Sequence, residues 1–428
     1  MARYRLRIYL PWLILAVAAL LALAGLVGYL PALFPVPVQV DFAAYYLAAR
    51  VLSAGGDPYS AAALSAAAAE SGIERYTPYI YLPLLATLLR PLAALGYSIA
   101  ATIWYLASAA MALLAAIMLG RSLRFPPHAI PLLAGATLIL PATYGTLVFG
   151  QTGNALNLML VGALLLSASP MRHRSADLLA GVLLGAAVAL KMYPAVLGLV
   201  YLLHRRVATL VAGGLTVVGA ILACLTTGGW ESLRRWLACA SPIVAISDIF
   251  PANQSVIGVT GRLFPYAHST IRLPAAEGYT PIELSPFLGF PALRVIVPAL
   301  AIIAILAASC VAIHRSAHSD DSASFRLSYA IAISAMLLLW PVTWDLHFVH
   351  LLIPLLVIAR LRWAAFSYRL LLSLVCLLLA LQQHWQTLTH YWASPLVMMF
   401  GFVGVLAVWI ALLCIVAQDC SRLADHVL

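Results

Sequence analysis

The chain has 428 residues, 64% of them hydrophobic and only 9% charged, whereas a soluble domain carries about 25% charged residues. A net charge of +10 would suit a nucleic-acid binder if the basic residues clustered, but here they sit in short stretches between apolar runs. A soluble globular enzyme and a nucleic-acid-binding domain are both excluded; runs of about 20 apolar residues make the lipid bilayer the solvent.

The N-terminus, Met-Ala-Arg-Tyr-Arg-Leu-Arg followed by apolar residues, resembles a signal peptide, and Ala22-Leu23-Ala24 resembles a cleavage site. The apolar run continues to about Phe34, too long for a signal core, so an uncleaved first span is expected. Membrane helices are predicted near 10–34, 97–119, 129–147, 151–169, 177–190, 192–204, 207–227, 290–313, 325–343, 346–360, 364–381 and 395–417. This is an all-α polytopic membrane protein, a bundle of about twelve spans in a single domain over 1–428, with no internal repeat. Spans 177–190 and 192–204 are short for a bilayer about 30 Å thick and are expected to tilt or to form a broken hairpin. The six cysteines lie mostly inside apolar runs, with no Cys-x-x-Cys pair, and are expected to be buried structural thiols.

Charge sets the expected orientation. With Arg3, Arg5 and Arg7 in the cytoplasm and twelve alternating spans, 15 of the 23 arginines fall on that side, among them Arg121, Arg124, Arg172, Arg205 and Arg206. Acidic residues fall on the other side, among them Asp41, Asp57, Asp248, Glu277 and Asp345. The parity requires that 78–95 does not cross; its Pro83, Arg90 and Pro91 suggest a re-entrant or interfacial segment. Both termini are then cytoplasmic, and the outer segments are 35–96, 228–289 and 382–394. The first is expected to hold two short surface helices. One follows Asp41, presents an aromatic face and stops at Gly55-Gly56; the next is capped and started by Asp57-Pro58 and runs to about Ser71. The second outer segment opens with Trp230-Glu231-Ser232-Leu233-Arg234-Arg235-Trp236, an amphipathic stretch suited to the lipid interface.

Ionisable and polar groups near membrane depth carry a desolvation cost and mark candidate sites. Asp41, at the outer mouth of the first span, reads either as a helix N-cap or as a general base that takes a proton from an attacking hydroxyl. Lys191, the only lysine, interrupts an apolar run before Met192-Tyr193-Pro194, either snorkelling to the interface or offering a fixed charge to a phosphate. Gln151 and Asn154 lie in the turn Gly150-Gln151-Thr152-Gly153-Asn154, where satisfying the turn is the simpler role. Asn253-Gln254-Ser255 with Arg262 occupies the long outer loop. Asp345 and His347 lie in Trp340-Pro341-Val342-Thr343-Trp344-Asp345-Leu346-His347, as cap and interfacial histidine or as contacts to a phosphate leaving group. Arginine placement alone puts Asp41, Gln151, Lys191, Asn253, Arg262 and His347 on one side.

These motifs resemble glycosyltransferase family 87, lipid-phosphate-mannose-dependent mannosyltransferases of the GT-C fold. The resemblance rests on Asp41-Phe-x-x-Tyr-Tyr, Gly56-Asp57-Pro58-Tyr59, Tyr76-Thr77-Pro78, the Phe149–Asn154 turn, Leu190–Pro194, Asn253–Ser255 with Arg262, and Trp340–His347, in order over about residues 40–355. Two departures stand out, Met192 where members often carry Pro and Leu346 where they often carry a second His. The resemblance implies inverting transfer of mannose from polyprenyl-phosphate-mannose to a hydroxyl of a glycolipid or glycan, forming an α-(1→2) link. Asp41 would be the catalytic base, Lys191, Arg262 and His347 the donor-phosphate ligands, and Tyr45, Gln151, Asn154, Tyr193, Asn253 and Asp345 substrate-binding. It further implies a multi-pass plasma (inner) membrane enzyme with an extracytoplasmic active site, membrane lipid around it, and neither cofactor nor metal. Another lipid-linked sugar such as arabinofuranose, or a polytopic lipid or sugar transporter, is the competing reading; the missing repeat and the charges near one face favour the enzyme.

Overall fold

A computed structural model describes residues 2–425 apart from 35, 170–172, 247–248, 266–268, 276–277, 285–289, 291, 319–320, 386–387 and 389–395. Arg172, Asp248 and Glu277 of the orientation argument, and most of the outer segment 382–394, lie outside the described residues. The chain divides into two compact units. One comprises Leu26–Tyr201 and Arg206–Ile243; the other comprises Met1–Gly25, Leu202–Arg205 and Val244–Leu428.

Among the described residues six helices are long and apolar enough to cross a membrane: Ile8–Ala32, Tyr97–Ser122, Val207–Cys239, Leu293–Ser316, Ser322–Leu339 and Val397–Asp419. Ala129–Ile139 and Pro141–Phe149 make a seventh if the pair, bent by 55°, is one span. The chain is a multi-pass membrane protein, but the count of about twelve spans is not reached. The reason is helix length. Gly153–Ser167 has 15 residues and Phe366–Gln382 has 17, and at 1.5 Å per residue neither exceeds roughly 26 Å. Windows at 192–204 and 346–360 each break into a 3₁₀ turn and a short helix, Tyr193–Leu197 before Gly198–Leu203 and Asp345–Leu351 before Leu352–Arg362. These six or seven candidate crossings among the described residues do not by themselves supply the alternation of twelve spans.

The first unit builds its core on α1 (Val40–Ser53), with α2 (Ala61–Ser71), α3 (Pro83–Leu88), α4 (Arg90–Ala93) and α5 (Tyr97–Ser122) against it. α1 is not a surface helix: every residue from Asp41 to Ala49 is buried. Phe42-Ala-Ala-Tyr-Tyr-Leu-Ala-Ala has no charged side chain at any angle, and a helix that is apolar all round packs inside. Asp57 does not cap α2. Ser60 does, its hydroxyl accepting from the Ala63 N–H at 3.3 Å, while Asp57 accepts from the Tyr59 N–H at 3.1 Å within the preceding turn. The 78–95 segment holds only the short helices α3 and α4, in keeping with a stretch that does not cross.

α6 (Pro141–Phe149) leads through Gly150 into α7 (Gly153–Ser167), which pairs with α8 (Arg174–Leu190). Gly181 and Gly185 let α8 approach α9 (Val207–Ile246) closely; a Cβ at either would lie 2.3 Å or 2.4 Å from a carbonyl of Thr209 or Gly213. α9 kinks at Gly229, and its second half carries the Trp230–Trp236 stretch. There Trp236 donates to the Ile80 carbonyl at 3.1 Å, and Arg235 pairs with Asp57 and Glu231. The amphipathic stretch thus packs partly on protein.

In the second unit α10 (Val256–Leu263), α11 (Leu293–Ser316), α12 (Ser322–Leu339) and α13 (Phe400–Asp425) surround short helices. α12 is largely enclosed by protein, whereas Leu293–Ser316 leaves most of its apolar surface for lipid. The all-α expectation needs one correction: Ser269–Ala275 and Gly278–Leu284 pair as an antiparallel hairpin, with Thr270 opposite Glu283.

Candidate active site

Asp41 lies in the first turn of α1 but does not cap it. The N-cap residue is Gln39, and Asp41 turns its carboxylate sideways. The Thr77 hydroxyl donates to Oδ1 at 2.6 Å and the Gln151 amide Nε2 donates to Oδ2 at 2.6 Å. Thr77 is held by its own N–H, which donates to the Val40 carbonyl at 3.1 Å. An ionised carboxylate accepts about four hydrogen bonds, so two such donors orient it and leave capacity for a substrate hydroxyl. Asp41 keeps 9% of its surface exposed. Burial raises its proton affinity above the ordinary carboxylate value, opposed in decreasing order by the Thr77 bond, the Gln151 bond and the charge of Lys191. A carboxylate whose proton affinity is raised and that keeps some exposure can accept a proton from a group that reaches it.

Gln151 is the centre of the cluster. Its Oε1 accepts from Lys191 Nζ at 2.9 Å and from the Tyr81 hydroxyl at 3.1 Å. The Lys191 ammonium also lies over the Tyr81 ring, 5.6 Å from its centroid. Tyr45, almost fully buried, donates to the Tyr81 hydroxyl at 2.9 Å. Burial, followed by the neighbouring Tyr81 and Asp41, pushes the Tyr45 hydroxyl well above its ordinary value, so it stays neutral as a support.

The sequence places Gln151 here through Gly150. That residue ends α6 with φ 71°, a left-handed conformation that favours glycine. A Cβ at Gly150 would also stand 2.6 Å from Phe42 Cβ and 2.7 Å from Gln39 Cβ, so only glycine lets the turn close on α1. The Trp104 indole donates to the Gly150 carbonyl at 2.9 Å, and Gln39 Nε2 donates to the Leu147 carbonyl at 3.2 Å. Lys191 stands just past α8 in an extended conformation, which directs it away from the helix axis. Asn154, by contrast, points into the protein and donates to Ser108 Oγ at 3.0 Å, joining α7 to α5. Tyr193 is likewise buried in the turn after Lys191.

The candidates of the second unit form a different structure. Asn253 pairs with Trp344 in an antiparallel bridge; its amide donates to the Pro341 carbonyl at 3.0 Å and accepts from the N–H groups of Thr343 at 3.0 Å and Ser255 at 3.2 Å. Arg262 is 1% exposed, and its guanidinium donates to the carbonyls of Phe250, Asn253 and Met398 at 2.8, 2.9 and 3.0 Å. The motifs at 253–262 and 340–347 are therefore neighbours, but Asn253 and Arg262 spend these bonds on main chain. Asp345 N–H donates to the Ala252 carbonyl at 3.1 Å, and desolvation pushes its carboxyl up to about 7, against a Leu346 N–H bond that lowers it. His347 is buried at the start of the next short helix. Among the described residues no three His, Cys, Asp or Glu side chains gather as metal ligands.

The family model described as glycosyltransferase family 87 matches residues 79–341, more than half of the chain. The chain belongs to glycosyltransferase family 87. It is a membrane glycosyltransferase. A relative from Mycolicibacterium smegmatis, named polyprenol-phosphate-mannose-dependent alpha-(1-2)-phosphatidylinositol mannoside mannosyltransferase, is 26% identical over 372 residues, covering 82% of this chain and 75% of that one. The match to family 87 contains Gln151, Asn154, Lys191, Tyr193, Asn253 and Arg262, while Asp41, Tyr45, Asp345 and His347 lie outside it. Sequence reasoning missed Thr77 and Tyr81 as site residues. The signal for Thr77 was present in Tyr76-Thr77-Pro78, a hydroxyl fixed before a proline.

Proposed function

We propose that this glycosyltransferase moves mannose from polyprenyl-phosphate-mannose to a glycolipid hydroxyl, with inversion and an α-(1→2) link. The observation that carries the reading is the Asp41–Gln151–Lys191 array, a base and a cation separated by one amide. The acceptor oxygen attacks the sugar's anomeric carbon as its proton passes to Asp41. The bond from that carbon to the phosphate breaks, and the lipid monophosphate leaves with the electron pair. Lys191 meets the charge that grows on the phosphate, which is where electrostatic stabilisation acts. The donor and linkage in this reading follow the name of the Mycolicibacterium smegmatis relative. We place the site on the extracytoplasmic face of the plasma membrane because Arg3, Arg5 and Arg7 precede the first apolar helix, Ile8–Ala32, and favour a cytoplasmic N-terminus, while Asp41 follows that helix.

The testing experiment is an assay of the purified protein in detergent with synthetic polyprenyl-phosphate-mannose and a panel of mannosyl glycolipids. Mannose transfer with inverted configuration is expected. Turnover of a different lipid-linked sugar and none of mannose would overturn the donor assignment.

A further inference from the structure

We infer that Gln151 is a positioning residue rather than a sugar ligand: its carboxamide fixes Asp41 and Lys191 at once while keeping the two charges from pairing directly. The inference deepens the proposed function and rests on its reading of Asp41 as base. Both ends of the amide are engaged by the protein. Nε2 donates to Asp41 at 2.6 Å, and Oε1 accepts from Lys191 at 2.9 Å and from Tyr81 at 3.1 Å. Both Oε1 lone pairs are taken, so a sugar hydroxyl could donate to Gln151 only by displacing Lys191 or Tyr81.

The chemistry explains why an amide belongs here. If Lys191 paired with Asp41 directly, the ion pair would favour the ionised carboxylate and weaken it as a base, and it would also neutralise the cation meant for phosphate. A neutral amide with a donor at one end and an acceptor at the other satisfies both groups without neutralising either. Its two partners also reinforce each other. Donors on Oε1 polarise the amide and strengthen the Nε2–H bond to Asp41. The backbone supports the same role, since Gly150 admits only glycine and pins the neighbouring Gln151 against α1.

Other ionisable groups near α1 sit apart from this chain of bonds. Arg50 pairs with Glu70 of α2 beyond the far end of the cluster, and Arg90 of α4 donates to the Leu52 carbonyl. On α5, Tyr97 donates to the Gln39 carbonyl; Tyr105 and Arg121 follow on the same helix, and α6 contributes Tyr144. The groups that modulate Asp41 beside burial are Thr77, Gln151 and Lys191.

The test compares pH profiles of mannose transfer for the full-length enzyme, Gln151→Met and Gln151→Glu. Met keeps the volume and removes both polar ends. Asp41 then loses a bond to its charged form, so the acidic limb of kcat/KM moves to higher pH, costing about tenfold on the acid side, the equivalent of one charge-assisted hydrogen bond. Glu keeps an acceptor for Lys191 and puts a like charge beside Asp41, so its limb moves further in the same direction. The donor KM rises in both, because Lys191 loses its tether or gains an ion-pair partner. A pH-independent fall in activity with lowered thermal stability and an unmoved limb would overturn the inference and make Gln151 a structural turn residue. An Asp41→Asn control separates the two claims: if that variant turns over normally, the base assignment fails, whereas an inactive Asp41→Asn beside an unmoved limb in both Gln151 variants refutes only the positioning role.

Discussion

Two polar clusters in this protein were expected to do the same work, and they are built on opposite plans. Around Asp41, side chains bond to side chains: Thr77 and Gln151 to the carboxylate, Lys191 and Tyr81 to Gln151. Around Arg262, side chains bond to main chain: three carbonyls for the guanidinium, and a carbonyl with two N–H groups for Asn253. A side chain that grips backbone holds a segment in shape, and those bonds serve the fold. A side chain that grips other side chains has its protonation and charge tuned, which is what chemistry needs. Arg262, in the last turn of α10, and Lys191, just past α8, are both cations at helix ends, and their partners tell them apart.

The largest effect expected from this contrast is on folding. Arg262→Met removes a donor from three carbonyls; Phe250 keeps the Asn253 N–H and Met398 keeps Gln254 Nε2, but the Asn253 carbonyl loses the Arg262 bond, at about 1–3 kcal/mol for a buried group left unsatisfied. Expression and thermal stability in detergent should therefore fall, and an Arg262→Met variant as stable as the unaltered protein would break the distinction. Gly150→Ala comes next. It combines a left-handed φ with a Cβ 2.6 Å from Phe42, and overpacking of this kind costs roughly 1–3 kcal/mol, with transfer activity falling as Gln151 moves. Lys191→Met should leave stability near normal and weaken donor use about tenfold to a hundredfold, the value of a charge-assisted bond of roughly 1.5–3 kcal/mol. Unchanged donor kinetics with lowered stability would return Lys191 to a snorkelling role.

Smaller effects concern pH. Thr77→Val removes the bond that most opposes the burial of Asp41's charge, so the acidic limb of activity should move to higher pH; a limb that stays or moves down contradicts the geometry. Asp345 has its carboxyl raised to about 7 from 3.8. A raised group favours the folded state when protonated, so its contribution is full below about 3.8 and is lost as pH rises through about 7. Asp345→Asn should flatten that part of the stability profile, measured by thermal unfolding across the window.

Much of this was legible in the sequence. The apolar runs marked a membrane protein, and the ordered motifs from Asp41 to His347 marked the family. What escaped has physical causes. A hydropathy window counts apolar residues and not helix continuity, so windows broken at prolines such as Pro141 and Pro194 or holding short helices counted toward twelve, whereas six or seven helices among the described residues are long and apolar enough to cross. Phe42, Tyr45 and Tyr46 read as one aromatic face of a surface helix, although the alanines between them leave no polar face to meet water. The partners that set Arg262 apart from Lys191 are invisible in sequence, which shows a charge and not what it bonds. The motif Tyr76-Thr77-Pro78 marks Thr77 in the sequence, but its bond to Asp41 forms only when the segment before Pro78 folds back on Val40.

The measurement closest to the central claim is the turnover of Asp41→Asn against the unaltered enzyme, with donor binding measured on the same preparations. Asn preserves the shape and one acceptor while removing the basic oxygen. The account predicts a folded protein that binds polyprenyl-phosphate-mannose normally and transfers mannose about 10²–10⁴-fold more slowly, the usual cost of losing a general base. Near-normal turnover with intact binding would contradict it, and would leave the Thr77–Asp41–Gln151 contacts as part of the scaffold of α1.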